Sequence, residues 1–214
     1  IGLYFGLEAV VLQKFVRHRY RNYSFRSALR VPLAEQLFNG ITPFSSGGQP
    51  AQIFVMAQSG IDAGRASSVA LMKFVVFQAM VVLNFLFAML IGFHYLAEKL
   101  SYLSLYVLLG FLIHFAVIVG LLLVMYWYNF TKRAVKIVLI PVGWFMKADR
   151  FEKFQDNINE KIDSFYEESL RMTKDWRMLL EVSVLTFFQL LFYYLIPYFI
   201  MRAMGYHGIN VIMV

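Results

Sequence analysis

The chain is 214 residues long, 60% hydrophobic and only 15% charged, with a mean hydropathy of +0.61; these figures exclude an ordinary water-soluble domain and describe an integral membrane protein. Zero cysteines exclude a disulfide framework, thiolate metal sites and cysteine nucleophiles. The net charge of +7 is unevenly placed: Lys14, Arg17, Arg19, Arg21, Arg26 and Arg30 carry six of the seven with no acid among them, leaving a nearly neutral membrane domain with one cationic arm and no nucleic-acid partner.

In chain order, the first element is an apolar run over residues 1–13, which at about 20 Å is too short to cross a hydrocarbon layer of about 30 Å. With no basic stretch before it, it reads as the end of a span entered midway rather than a signal peptide. After the cationic arm comes a segment, residues 27–60, whose halves over 26–38 and 50–59 would be helices of about 20 and 15 Å, again too short to cross. Between them lies Asn39-Gly-Ile-Thr-Pro-Phe-Ser-Ser-Gly-Gly-Gln, a dense run of helix breakers. Gly40 suits a helix end, Thr42-Pro43 the start of a turn, and Pro50 the first residue of the next helix. The segment therefore reads as a re-entrant helical hairpin, whose irregular tip is tolerated at membrane depth only if buried in protein or lining a wet cavity.

Residues 66–92, 103–128 and 178–201 are each long and apolar enough to span. Ten bases lie in the connection 129–177 and one in the Glu98-Lys99 loop, so the arm and the long connection are expected inside and the Glu98 loop and Arg202 outside. Within that connection, residues 134–146 predict a short interfacial helix interrupted at Pro141. Phe151, Phe154, Ile158, Ile162 and Phe165 then recur at three- and four-residue steps among charges, the pattern of an amphipathic helix. Its apolar stripe would pack on the domain or lie in the headgroup layer, a soluble partner being the alternative. The apolar tail 208–214 reads as a further span cut short. The expected fold class is thus an all-α integral membrane protein: a polytopic helical bundle, a single domain over 1–214 truncated at both ends, with a re-entrant hairpin and an inside interfacial and amphipathic region over 134–175.

A half-helix starting at the hairpin tip would offer unpaired amides and the positive end of its dipole around Gly48 to Gln52, flanked by Ser45, Ser46 and Gln49. Phosphate or carboxylate is the natural ligand of such an end; equally, the serines and glycines would simply close the turn and cap the helix. Polar residues inside spans are expensive and default to functional candidates: Glu8, Glu35, Lys73, Gln78, Asn84, His114 and Gln189. Glu35 and Lys73 fall within about two turns of the inside surface and can pair across the base of the hairpin, or Lys73 can snorkel to that surface. His114, alone in an apolar span, suits a helix-to-helix hydrogen bond better than proton transfer, and Asn84 and Gln78 read as interhelical glue. Enzyme signatures are missing: there is no HExxH, no GxxxxGKS/T and no GxSxG, and His18, His94, His114 and His207 are scattered. No catalytic centre, metal or cofactor is expected.

The run Asn39-Gly-Ile-Thr42-Pro43-Phe-Ser-Ser-Gly47-Gly48-Gln49-Pro-Ala-Gln52, a Gly60-containing turn and then Met72-Lys73-Phe74 in the following span resembles the transmembrane region of the lysylphosphatidylglycerol synthase family. This is the flippase-like domain of the bacterial multiple peptide resistance factor, which also occurs as a stand-alone membrane protein. The broader family often carries an acid and an arginine where this chain has Gln49 and Gln52; the Gly-Gly-Gln-Pro version looks like a subgroup, in which losing both charges together would leave no orphan. The family's second glycine- and proline-rich segment falls beyond Val214.

What the resemblance implies is a multi-pass domain of the bacterial cell membrane that handles phosphatidylglycerol or lysyl-phosphatidylglycerol and is linked to resistance against cationic antimicrobial peptides. Its partners would be anionic membrane phospholipids, and a homodimer is compatible with it. On that reading Asn39, Thr42, Ser45, Ser46, Gly47, Gly48, Gln49 and Gln52 are headgroup-binding candidates, and Glu35, Lys73 and His114 are intramembrane polar candidates. Lys14, Arg17, Arg19, Arg21, Arg26 and Arg30 would draw anionic lipid, at about 1 kcal/mol for each base near the surface. The alternatives are a non-transporting scaffold, or a label of phosphatidylglycerol lysyltransferase inherited without the soluble transferase domain.

Overall fold

The computed structural model describes residues 1–99, 104–145 and 148–206, and every element among them is helical. The expected span at 208–214 lies outside the described residues, as do residues 100–103. In order the helices are α1 (Gly2–Arg17), α2 (Phe25–Ile41), a 3-10 turn (Pro43–Ser45), α3 (Gly48–Gln58), α4 (Ala63–Lys99), α5 (Ser104–Tyr126), α6 (Tyr128–Phe145), α7 (Ala148–Lys174), α8 (Trp176–Tyr194) and α9 (Ile196–Ala203).

Local chemistry sets the ends. Ser24 caps α2 by accepting the Ser27 amide at 3.1 Å. Asp62 accepts the amides of Gly64 at 3.0 Å and Arg65 at 3.2 Å ahead of α4, and Asp175 accepts that of Met178 at 3.0 Å ahead of α8. Lys14 and Arg17 fall in the last turn of α1, where positive charge complements the helix dipole. Pro32 lies inside α2 and removes one rung of its hydrogen-bond ladder.

Among the described residues three helical stretches are long and apolar enough to cross a membrane: Ala63–Leu90, Leu108–Tyr126 and Trp176–Ala203. The last runs through Leu195, which keeps helical angles between α8 and α9. Burial separates them. The α4 stretch is 39% buried and the α5 stretch only 6%, so α4 is a core helix whereas α5 presents Leu108, Leu112, Ile113 and Phe115 outward, as a lipid-facing helix does.

The core gathers around α1. Leu12, Phe15 and Val16 are fully enclosed together with Val31 of α2, Met56 of α3, Val69 and Met72 of α4, Met172 of α7 and Val182 of α8. Hairpin helices α2 and α3 pack on each other and against α1 and α4, while α8 covers the far side of α1. Helix α7 lies along the first turns of α4. There a Cβ on Gly64 would stand 2.1 Å from the Lys161 carbonyl oxygen, so only glycine permits the crossing. Ser68 and Ser169 share a buried hydrogen bond of 2.7 Å just beyond it.

Several expected boundaries move. Helix α2 continues through Gly40 and ends at Thr42, which donates its hydroxyl to the Phe38 carbonyl, because an i−4 bond from the side chain closes the last turn as well as a glycine would. Helix α3 begins at Gly48, two residues before Pro50. Only Trp127 separates α5 from α6, and α6 runs on through Pro141 to Phe145 instead of breaking there.

Candidate functional site

Four side chains from four helices converge where the hairpin meets the core. Lys73 of α4 points its ammonium at Glu8 of α1, with which it forms a tight ion pair, at Glu35 of α2 at 3.0 Å and at the Gln52 carbonyl oxygen of α3 at 3.0 Å. Gln52 is fully buried and Lys73 and Glu8 nearly so, while the Glu35 side chain keeps 19% of its surface. Counting the 1.5 Å rise along each helix, the four lie about 9 to 15 Å from the end that carries the arm and the hairpin base. Snorkelling is therefore not what Lys73 does: its nitrogen is turned into the protein. Burying it requires paired charge, which Glu8 and Glu35 supply, and Gln52 adds a neutral acceptor.

The pairing is unbalanced, since two carboxyl groups share one ammonium. The Gln52 side-chain NH2 is also buried and has no acceptor. One turn before Glu8 on α1, the Tyr4 ring stands 5.7 Å from that of Tyr193 of α8.

At the hairpin tip the candidate residues serve mainly the hairpin itself. Thr42 accepts the Gly47 amide at 2.9 Å, Ser46 donates to the Pro43 carbonyl at 2.9 Å, and Asn39 lies against Gly48, where a Cβ would stand 2.2 Å from its carbonyl oxygen. The glycines thus allow α2 and α3 to approach. The amides of Gly48 and Gln49 head α3 with no intrahelical acceptor, and Ser45 and Gln49 make no side-chain hydrogen bond with the described residues. Phe44 is fully exposed, and both Phe44 (φ 56°) and Ser45 (φ 53°) sit in the left-handed region, a strained arrangement for non-glycine residues. Nothing in the composition of the run marks Phe44 in advance.

The cationic arm divides in two. Lys14 pairs with Glu181 of α8 and Arg19 donates to Glu167 of α7 at 2.8 Å, tying α1 and the arm to those helices, while Arg17 donates to the Tyr23 carbonyl within the arm at 2.9 Å. Arg21, Arg26 and Arg30 are exposed and make no hydrogen bond or ion pair with the described residues. Arg19, Arg21 and Arg30, with Ser24, Ser27 and Ser59, line a polar cavity of about 700 Å³ between the arm and the hairpin base.

At the same end Lys161 of α7 bonds Asp62 at 2.6 Å. Partial burial opposes the charged form of Asp62, but the bonds from Lys161 and from the Arg65 and Gly64 amides outweigh it and hold the carboxyl below its usual range. Glu167 is likewise held low, first by its hydrogen bond from Arg19 and then by Arg65. The α7 stripe is used internally only in part: of its expected members Ile162 is buried, Phe151, Ile158 and Phe165 are half-buried and Phe154 is exposed. Ile162, Tyr166 and Met172 are buried, and the Tyr166 hydroxyl donates to the Val124 carbonyl at 2.6 Å.

His114 is placed apart from the cluster and bonds Gln78 across α4 and α5 at 2.9 Å. Asn84 departs from the interhelical role expected of it, since its amide donates to Met80 in its own helix. Sequence reasoning ranked Glu35 and Lys73 among its candidates but gave Glu8 no partner; an isolated acid in an apolar run was the available signal.

A family profile described as the lysylphosphatidylglycerol synthase TM region matches residues 1–214, the whole chain. The chain belongs to this family. No curated protein and no solved structure matches it. Family and apolar helices together make it a membrane domain connected with lysylphosphatidylglycerol.

Proposed function

We propose that the chain is a phospholipid translocase-like domain that takes phosphatidylglycerol or lysyl-phosphatidylglycerol by its headgroup from the inner leaflet of a bacterial cell membrane, and so alters the surface that cationic antimicrobial peptides meet. The observation that carries this reading is the polar cavity at the hairpin base. It is lined by three arginines and three serines, sits at the end of helices apolar enough to span, and adjoins a hairpin too short to cross. Guanidinium groups bind phosphate in a bidentate fork, and the serine hydroxyls match the glycerol and phosphate oxygens. The tip residues Asn39 to Gln49 would then guide the headgroup along the hairpin, with the Gly48 and Gln49 amides as a second anion contact, while Gln52, fully buried against Lys73, is withdrawn from that path.

The scaffold alternative keeps part of its surface: of the α7 stripe Ile162 is buried, whereas Phe154 stays exposed. The test is reconstitution of the full-length protein in liposomes with fluorescent phosphatidylglycerol and lysyl-phosphatidylglycerol, comparing wild type with Arg21→Gln/Arg30→Gln. Transbilayer movement should slow severalfold in the variant, and the loss should shrink as salt is raised. Equal rates at low salt would remove the cavity from the mechanism.

A further inference from the structure

The buried cluster contains a charge problem that its hydrogen bonds do not solve. Glu8 and Glu35 bring two negative charges to one positive charge on Lys73, and Gln52 is neutral. Among the described residues Lys73 is the one cation that pairs with either carboxyl, and α8 presents Tyr193 to Tyr4 one turn before Glu8. Along α4 the next polar contacts lie more than a turn away in either direction, Ser68 to Ser169 of α7 and Gln78 to His114 of α5. An unmatched carboxylate in a site with Gln52, Glu8 and Lys73 almost closed to solvent is strongly disfavoured, and the usual remedy is to neutralise it. Among the described residues no group of three metal-ligating side chains comes together here, and a proton neutralises a carboxylate without any further ligand.

We infer that Glu8, Glu35 and Lys73 form a proton-binding site, which holds one proton on a carboxyl oxygen while the hairpin is docked and releases it when the hairpin parts from α1 and α4. The bond that breaks is the O–H of that carboxyl, and the proton passes to water. Glu35 is the outlet, being the more exposed of the two acids and the one carried by the hairpin. Once α2 and α3 move away, Glu8 and Lys73 remain as a neutral pair and Glu35 reaches water as a carboxylate, so neither half keeps a buried surplus. Coupling-ion sites of transporters characteristically lie at discontinuous helices near mid-depth, which is where this site falls. This coupling role rests on the translocase reading; the presence of the bound proton does not.

The decisive measurement is infrared spectroscopy of the full-length protein in an ester-free detergent. At neutral pH wild type should show one protonated-carboxyl C=O band that is lost as pH is raised. The isosteric variants Glu8→Gln and Glu35→Gln, each balanced at one acid and one base, should lose it. Lys73→Gln, with two acids and no base, should roughly double it. No such band in wild type, or a band that survives in Glu8→Gln and Glu35→Gln but disappears in Glu168→Gln, the other buried acid, would overturn the site. In liposomes an imposed pH gradient should change the wild-type translocation rate severalfold, and Glu35→Gln should lose that dependence. A wild-type rate indifferent to the gradient would overturn the coupling. No translocation by wild type would instead remove the translocase reading while the infrared result still decides the site.

Discussion

Lys73 and Lys161 each bind a carboxylate across helices, yet they stand in opposite surroundings. Lys161 meets Asp62 at the water-exposed end, with side chains 35% and 20% accessible; a water shell tolerates any local excess of charge there, and the contact orients α7. Lys73 and Glu8 meet inside the bundle at 9% and 8% accessibility, and solvent reaches the cluster only at Glu35, which at 19% is as accessible as Asp62. The same pair of residue types therefore gives positioning in one place and proton chemistry in the other. Dielectric surroundings, more than residue identity, make the difference.

The most direct way to break this contrast is Lys73→Met. It leaves two buried acids without a counter-charge and should cost about 3–5 kcal/mol, read as a fall in unfolding temperature in detergent. Lower pH should recover part of the loss, because both acids are already protonated in the folded variant and the unfolded chain then gains less by releasing those protons. An unchanged melting temperature at neutral pH would show that the cluster is hydrated and the contrast false.

Next in size is Gly64→Ala, at the point where α7 crosses α4. The added methyl meets backbone at 2.1 Å, which no rotamer can relieve, so α7 must shift at a cost of about 1–3 kcal/mol. Protease cleavage within α7 should accelerate, while accessibility of the Lys73 cluster stays the same. Gly120→Ala, with nothing within 4 Å, is the control and should be neutral or slightly stabilising. If cleavage is unchanged, the end with α7 is held by something other than close helix contact.

Thr42→Val follows. It removes the hydroxyl that bonds both the Phe38 carbonyl and the Gly47 amide, worth about 1 kcal/mol. Hydrogen exchange at the amides of residues 44–49 should quicken with no change elsewhere. Should the cluster also loosen, the tip and the buried acids act as one unit.

What the sequence discloses depends on how local the signal is. Residues 66–92 and 178–201 announce themselves as spans because hydrophobic length is a property of one segment, and the hairpin is visible in 39–50 because its breakers are contiguous. The Glu35 and Lys73 pairing was reachable, since both residues are rare charges near the same end of adjacent elements. Glu8 was not: it lies 65 positions from Lys73, and no spacing rule links an acid on the first helix to a base on the fourth. The neutral Gln52 shows the same limit. Losing charges at 49 and 52 together looked harmless from sequence, but Gln52 faces Lys73 rather than position 49, so its neutrality bears on the balance of a cluster assembled from distant segments. Gly64 is equally silent, because its reason to be glycine is the Lys161 carbonyl on α7.

The smallest effect belongs to the exposed end. Asp62→Asn removes one charge of an accessible pair and should lower stability less than any change above, as surface ion pairs do. Its pH dependence is the sharper test. Asp62 and Glu167 are held below the usual carboxylate range, so their contribution is fully present above the unfolded values near pH 4 and is lost as pH falls through the lower folded values. Lys161 is held above its ordinary range, first by its hydrogen bond to Asp62, so its contribution persists below the unfolded value of about 10.4 and fades only as pH rises through the folded one. Between about pH 5 and 9 the α7 contacts should therefore be insensitive to pH, measured as protection of α7 from protease. If the infrared band of the buried acids titrates within that window while α7 protection stays flat, the two charged regions are independent; if α7 loosens in step with the band, proton loss at the hairpin is transmitted through α4 to the exposed end.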